Sequence, residues 1–368
     1  MDFKHIKFSR EVNADFINTL RKRVNAYLKD NKISRYANVE MIVKTIFMFA
    51  LYFVPYILLM FNVFDSIWIV LSMWFLMGIG MSGVGTSIMH DAIHGAYSKN
   101  KFVNKLLGRS IILLGGYHYN WELQHNVLHH SYTNIHGMDE DIDSGKLFRF
   151  SPTQKRLKHH RLQHLYCWPL YALMTLEWMT TKDFRQLTRY HRNGLLKSLN
   201  KSYTGLMAQL IALKVLYYGL FIILPLIFMQ APWYITIAGI VLMHLVCGFA
   251  LAVIFQPAHV VPETQFIELP QTGTVENNWA IHQIQTTTNF APKNRILNWF
   301  IGGLNFQIEH HLFPNICHVH YRKISAIVKK TAKEFDLPYH CAKTFRRALI
   351  NHGKMLYHLG TKDIYPAV

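Results

Sequence analysis

Four long apolar stretches, arranged as two close pairs, dominate the hydrophobic pattern of the chain. The first runs from about residue 46 to 63 and the second from 67 to 89, with Asp65 in the short connector between them. The third, 206–229, and the fourth, 233–255, are joined by Gln230, Ala231 and Pro232. Each is about the length a helix needs to cross a hydrocarbon core of roughly 30 Å. Pro55 interrupts the first stretch, and the second carries Gly78, Gly80, Gly83 and Gly85. Small residues of this kind let helices approach closely or leave room for a slender ligand. Between the pairs lies a long polar section from His90 to Tyr203. Its apolar patch Phe102–Tyr117 is broken by charge and too short to span, which predicts a surface or re-entrant helix. Ahead of the first stretch, between Val12 and Asp30, Phe16, Leu20, Val24 and Tyr27 recur at spacings of three and four. That is an amphipathic helix lying on the protein or on the membrane surface.

The pattern therefore predicts an all-α integral membrane protein: four transmembrane helices in two pairs, with a helical cap. Residues 1–40 form an N-terminal amphipathic segment, 41–325 the main domain and 326–368 a C-terminal segment. Composition agrees, since 51% of the 368 residues are hydrophobic and only 16% charged, against an average near 25%. Lys and Arg number 39 against 21 Asp and Glu, a formal charge of +18. With no nucleic-acid-binding motif in the chain, that excess points to anionic lipid or an acidic partner. The four cysteines have no zinc-like or CxxC spacing. The first 40 residues are charged, and the first apolar run is too long and too late for a signal peptide. Neither tight connector, 62–66 or 230–232, holds Lys or Arg, so the positive-inside rule puts the N-terminal segment, the middle section and the C-terminal section in the cytoplasm.

Three histidine clusters then fall on one side of the membrane. They are His90-Asp91-Ala92-Ile93-His94, His125-Asn126-Val127-Leu128-His129-His130 and His310-His311. Residues four apart share a helix face with Cβ atoms roughly 6 Å apart, close enough to share a metal, and His90/His94 and His125/His129 both have that spacing. Adjacent His310 and His311 are rotated by about 100° and can address two ions. Seven histidines exceed one structural zinc and fit two metals; imidazole suits iron, copper, zinc or nickel. His259, at the same membrane level, is an eighth candidate. Asp91, Glu122, Asp139, Asp141, Asp143 and Glu309 are placed to orient the rings, although Asp143 reads equally as surface charge. His159, His160 and His164 lie in a basic stretch with Arg156 and Arg161 that reads as solvated surface or head-group contact. His244 lies within a span and reads as packing. His118, His136, His282, His318 and His320 read as supporting residues.

The order HDAIH, HNVLHH and QIEHH followed by Leu312-Phe313-Pro314, between two pairs of spans, resembles the membrane-bound fatty acyl desaturases. The likeness extends from the first span to about residue 325. Gln307, heading the third box, resembles the front-end subgroup, which inserts a double bond between an existing one and the carboxyl end. That subgroup includes delta-5 and delta-6 acyl desaturases and linoleoyl-CoA desaturase. The resemblance implies an oxidoreductase with two iron ions and dioxygen as co-substrate, acting on a fatty acyl-CoA or acyl-lipid. It implies His90, His94, His125, His129, His130, His259, His310 and His311 as metal ligands. Gln307 would ligate directly, through water or not at all, with Asp91 and Glu309 as ligands or supports. Gly78 and Gly83 would line an acyl tunnel, and Arg and Lys between 155 and 201, Arg156 and Arg161 among them, would hold a CoA or phospholipid phosphate, although a plain positive-inside loop explains them equally well. No His-Pro-Gly-Gly motif of a fused cytochrome b5 occurs in the chain, so the expected electron donor is a ferredoxin or a free cytochrome b5.

Two rivals stand beside this reading. A lipid hydroxylase or ketolase of the same superfamily uses the same metal-centred chemistry. A histidine-rich metal transporter places its ligands along a path within the spans, whereas here only His244 is mid-span.

Overall fold

The computed structural model describes residues 6–9, 14–268 and 273–362; Val12, where the first periodicity begins, and residues 363–368 lie outside them. Helix α1 spans Ala14–Asp30. Four helices are long and apolar enough to cross a membrane: α2 (Val39–Met60), α3 (Ile67–Ile93), and two more after the middle section, Tyr203–Phe228 and Trp233–His259. At 1.5 Å per residue even the 22 residues of α2 reach about 33 Å. Their outward faces carry exposed large apolar side chains such as Ile46, Phe47, Val215 and Ile227, the surface that lipid rather than water would cover.

Two boundaries differ from the sequence expectation. Helix α2 begins at Val39 rather than near residue 46, because Asn38 caps it through a 3.0 Å bond from Met41 N to its side chain and Glu40 occupies the first turn. Lys44 is inside the helix and wholly buried. Pro55 and, in the last span, Pro257 are both accommodated within their helices, and that last helix continues to His259 instead of stopping near residue 255.

Helix α3 is held by its glycines. A Cβ on Gly78 would lie 2.6 Å from Met243 O and 2.9 Å from Val246 Cβ of the last span. One on Gly80 would lie 2.7 Å from the backbone nitrogen of Tyr52 in α2, and one on Gly83 would run into the Met48 sulfur. Gly78 and Gly83, expected to line a tunnel, therefore serve helix contact. The two tight connectors meet: Asn62 Nδ2 donates to Phe228 O (2.9 Å) and Asn62 Oδ1 accepts from Gln230 N (2.7 Å). They close one end of the bundle.

The cap fills the other end. The patch 102–117 is a surface helix, α4 (Lys101–Gly108), followed by a 3-10 turn Arg109–Leu114, with Phe102 and Leu106 exposed. Then come α5 (Gln163–Tyr171) and α6 (Asp183–Arg192). The third and fourth spans are α7 (Tyr203–Phe228) and α8 (Trp233–His259). After these follow α9 (Trp279–Gln285), α10 (Gln307–Leu312), α11 (Tyr321–Glu334) and α12 (Phe345–Thr361). Phe16, Leu20 and Val24 of α1 pack on Ile324 and Val328 of α11, so the amphipathic helix lies on the protein. Met355, Leu356 and Leu359 of α12 pack on Ala252 and Val253 of α8. The described residues also include two short parallel strand pairs, Lys7–Phe8 with Thr274–Val275 and Asn289–Phe290 with Cys341–Ala342, which periodicity did not reveal.

Gly80→Leu is expected to lower the thermal unfolding midpoint in detergent, because the added side chain meets backbone; overpacking of this kind costs about 1–3 kcal/mol. Gly219→Leu, where a Cβ meets nothing within 4 Å, is the control. Equal midpoints for the two variants would contradict this account of α3.

Candidate metal centre

Two π-helical turns aim the first two histidine boxes. One, Val84–Met89, ends where His90 begins; the other, Glu122–His129, contains most of the second box. Wider turns of this kind re-aim the side chains beyond them and concentrate at functional sites. Their effect on the second box is direct. The i,i+4 spacing predicts that His125 and His129 share a ligand set, and their ligand atoms do lie within 4.8 Å of each other and of Asp141; the wider turn also brings His125 to His130, five residues on, with Nε2 atoms 3.3 Å apart. The third box is placed by Gly302 and Gly303, both with positive φ (63° and 66°). A Cβ on Gly302 would collide with Thr86 O and Ser87 of the first π-turn. Only glycine permits that approach, and it brings α10 against the end of α3.

The rings gather into two groups. His90, His94, His125 and His310 have ligand atoms within 4.8 Å of one another, and so do His129, His259 and His311. His130 lies between the groups, within the same reach of His310 and His311. The adjacent pair in α10 thus faces two different groups. His90 and His259 come from the last turns of α3 and α8, so the cluster sits where two spans leave the bundle.

Hydrogen bonds fix how the rings face. His129 Nδ1 lies 3.0 Å from Asp139 Oδ1, His259 Nδ1 3.2 Å from Thr286 O, and His311 Nδ1 2.7 Å from Gln283 Oε1. Carboxylate and carbonyl oxygens only accept, so each ring donates its Nδ1–H and turns the Nε2 lone pair inward. Nε2 of His94, His259, His310 and His311 is buried without a hydrogen-bond partner. His90 Nε2 and His125 Nε2 meet at 3.0 Å. Burial, and then the neighbouring imidazoles, push the pKa values of His94, His130, His310 and His311 well down, which keeps them neutral as ligation requires. Burial also opposes a charge on His129, but Asp139 and Asp141 outweigh it and raise that group to about 9. His129 must therefore lose a proton to ligate; with the other rings neutral and their lone pairs convergent, the cluster fits metal ions, and the donor set fits two.

The fatty acid desaturase family model matches residues 65–343. The chain belongs to the fatty acid desaturase family. It is 36% identical, over 94% of its length and 90% of the relative's, to an sn-1 linoleoyl-lipid 6-desaturase of Arthrospira platensis. A Synechocystis protein with the same description is 32% identical, covering 97% of this chain and 98% of the relative. An acyl-lipid (8-3)-desaturase of Physcomitrium patens is 36% identical over 97% of this chain and 74% of its own. These activities agree with the front-end subgroup that Gln307 resembles.

In this desaturase the acids divide. Asp139 and Asp141 sit against the rings; Asp141 Oδ2 is 3.4 Å from His129 Nδ1 and 3.8 Å from His125 Nδ1. Asp143 and Glu122 are exposed. Asp91 accepts from His318, not from a box histidine. Glu309 is buried and accepts from Asn289 Nδ2 (2.8 Å) and Tyr339 OH (2.9 Å). Gln307 is buried with Nε2 unpartnered, and among the described residues no hydrogen bond joins it to a ring. His244 bonds Tyr217 OH within the bundle. His159 and His160 lie against Lys146 O, and His320 against Tyr36 O.

A cavity of about 790 Å³ reaches the cluster at His259 and Asp141. Gly78, Gly83, Arg156 and Arg161 are not among its walls; Arg156 instead donates to Thr361 O, and Arg161 is exposed. Its basic side chains are Lys182, Arg185 and Arg189 of the stretch leading into and through α6, which belong to the Arg and Lys of 155–201 expected to hold a phosphate, whereas Arg156 and Arg161, singled out from that stretch, do not line it. Gln283 and Thr286 were missed. A lone glutamine and a backbone carbonyl leave no periodic trace.

Asp139→Asn is expected to weaken metal retention about 10–100-fold, read by chelator competition; unchanged retention would contradict its assigned role. Burial lifts the Glu309 pKa to about 7 against bonds from Asn289 and Tyr339 that work to lower it. A carboxyl raised on folding stabilises at low pH, and this contribution is lost as pH rises from the unfolded value near 4.5 through about 7. Glu309→Gln should therefore flatten the fall in stability across that window, measured as unfolding midpoint against pH. A wild-type slope that persists in the variant assigns the fall to other groups.

Proposed function

We propose that the chain is an oxygen-dependent front-end desaturase that places a cis double bond on the carboxyl side of an existing one, in an acyl chain esterified to a membrane lipid. The observation that carries this reading is the cavity whose walls include His259, one of the histidines turned toward the centre. Trp121, Phe255, Ile142, Phe148, Phe150 and Met174 give it apolar walls. Phe255 lies with its ring centroid 6.2 Å from those of both His90 and His125, so a methylene chain held against it lies beside the imidazole cluster.

The eight histidines would hold two iron ions, which with dioxygen would supply the oxidising power that side chains lack. The protein's share is positioning. Asp139, Gln283 and the Thr286 carbonyl hold the rings in one tautomer, and the apolar walls exclude water and align the chain. Gln307 heads the helix that carries His310 and His311.

The rim favours a lipid ester over a CoA thioester. Three cations line the cavity, Lys182, Arg185 and Arg189, against four acids, Glu140, Asp141, Asp143 and Glu177. Arg185 pairs with Glu177, Arg189 with Glu140 at 2.6 Å, and Lys182 donates to Gln124 Oε1 at 2.9 Å. The several phosphate charges of CoA would meet a balanced or slightly negative rim. The basic segments favour a cytoplasmic cap by the positive-inside rule, where a separate acidic electron carrier, a ferredoxin or a free cytochrome b5, would dock. Within this reading residues 41–325 form the catalytic unit, flanked by 1–40 and 326–368.

The test is expression in cells fed linoleate and supplied with an electron donor, with double-bond positions fixed by derivatisation and products sorted by lipid class. A new double bond on the carboxyl side, in glycerolipid, is expected. His129→Ala and His310→Ala should yield no product while their membrane content is retained. A hydroxylated acyl chain would move the assignment to the hydroxylase branch, and activity in either variant would overturn the ligand assignment.

A further inference from the structure

A second buried polar constellation lies just beyond the first histidine group. Lys44 of α2 is wholly buried in a helix otherwise built for lipid. Its Nζ is 2.7 Å from His318 Nε2 and 5.3 Å from the centre of the Trp299 ring. His318 Nδ1 is 2.8 Å from Asp91 Oδ2, and the His318 backbone nitrogen donates to the same oxygen at 3.1 Å. An ammonium can only donate, so His318 accepts at Nε2 and donates from Nδ1. The proton order along Lys44, His318 and Asp91 is thereby fixed, with a neutral imidazole carrying a cation's charge to a carboxylate.

The parts of this line come from three places. Lys44 belongs to the first span. Asp91 sits between His90 and His94, on the helix turn that presents both to the cluster. His318 follows the third box, which presents His310. Asp91, Cys317 and His318 have the residue types of a metal site, their ligand atoms lying within 4.8 Å, but the position beside His318 Nε2 is filled by Lys44. The neighbouring backbone is also tied: Cys317 N donates to Arg35 O at 2.8 Å, and Thr45 Oγ1 and Tyr97 OH are 2.9 Å apart.

We propose that Lys44 is a positioning residue for the metal centre: acting through His318 on Asp91, it sets the turn that carries His90 and His94 against the segment that carries His310. The line touches none of the reacting atoms, and its effect falls on the four-histidine group alone. This rests on the two-iron reading above.

The experiment is the iron-to-protein ratio of purified, folded, full-length protein, with its Mössbauer spectrum. Wild type should hold two irons per chain. Lys44→Met keeps the bulk and removes the cation, and should fall toward one iron, with the remaining signal that of the His129, His259 and His311 group. His318→Leu should behave alike. His318→Gln can accept from Lys44 with its oxygen and donate to Asp91 with its amide, and should keep two. It also serves as the folded comparison if Lys44→Met is recovered in low yield. A merely structural lysine would lower yield or unfolding temperature but leave the ratio and spectrum of the surviving molecules unchanged; that result overturns the proposal. So does a rise to three metals in Lys44→Met, which would make Lys44 only an excluder of cations. Wild type without two irons would instead overturn the metal assignment itself.

Discussion

Imidazole lone pairs that converge in a dry interior repel one another unless a cation holds them, and the rest of this molecule is arranged around that constraint. A ring that turns Nε2 inward is held in that orientation where its Nδ1–H has an acceptor behind it. The cap supplies those acceptors: Asp139 behind His129, Gln283 behind His311, the Thr286 carbonyl behind His259. Asn134 ties two of them together, its backbone nitrogen donating to Asp139 Oδ2 at 2.9 Å and its side-chain amide to Thr286 O at 3.4 Å. The loops of the cap therefore have to fold closely over the span ends, which explains why so much polar chain is buried there.

The membrane-spanning part serves the same end. Glycines pull α3 tightly against α2 and α8, and ligands project from the last turns of α3 and α8, so two span ends form the floor of the centre. The cavity opens beside that floor between α8 and the helices of the middle section. An acyl chain entering it meets apolar walls and then the imidazole cluster, with charged pairs left at the rim. Fold and family membership agree here: the order of boxes read along the chain corresponds to one gathered site.

Much of this was legible in the sequence because apolar length and histidine spacing are strong local signals. All eight histidines named as ligands come together, including His259, whose only signal was its membrane level. What was misread depended on less local facts. The start of α2 was hidden by Lys44, which any hydropathy pattern treats as a flank, although Asn38 followed by Glu40 is a readable helix start. The pairing of His125 with His130 required a π-turn, which periodicity does not announce. Gly78 and Gly83 were offered as tunnel walls when their neighbours on other helices made them contacts. The basic residues Arg156 and Arg161 were chosen by local charge density, whereas the cavity is lined by Lys182, Arg185 and Arg189, selected by the tertiary fold.

The most direct test of the central claim is X-ray absorption at the iron edge on the purified desaturase. The account predicts two irons per chain, first shells dominated by imidazole nitrogen at about 2.0–2.2 Å, and no sulfur scatterer despite buried Cys317 nearby. A sulfur ligand, a shell dominated by carboxylate oxygen or a single iron per chain would contradict it.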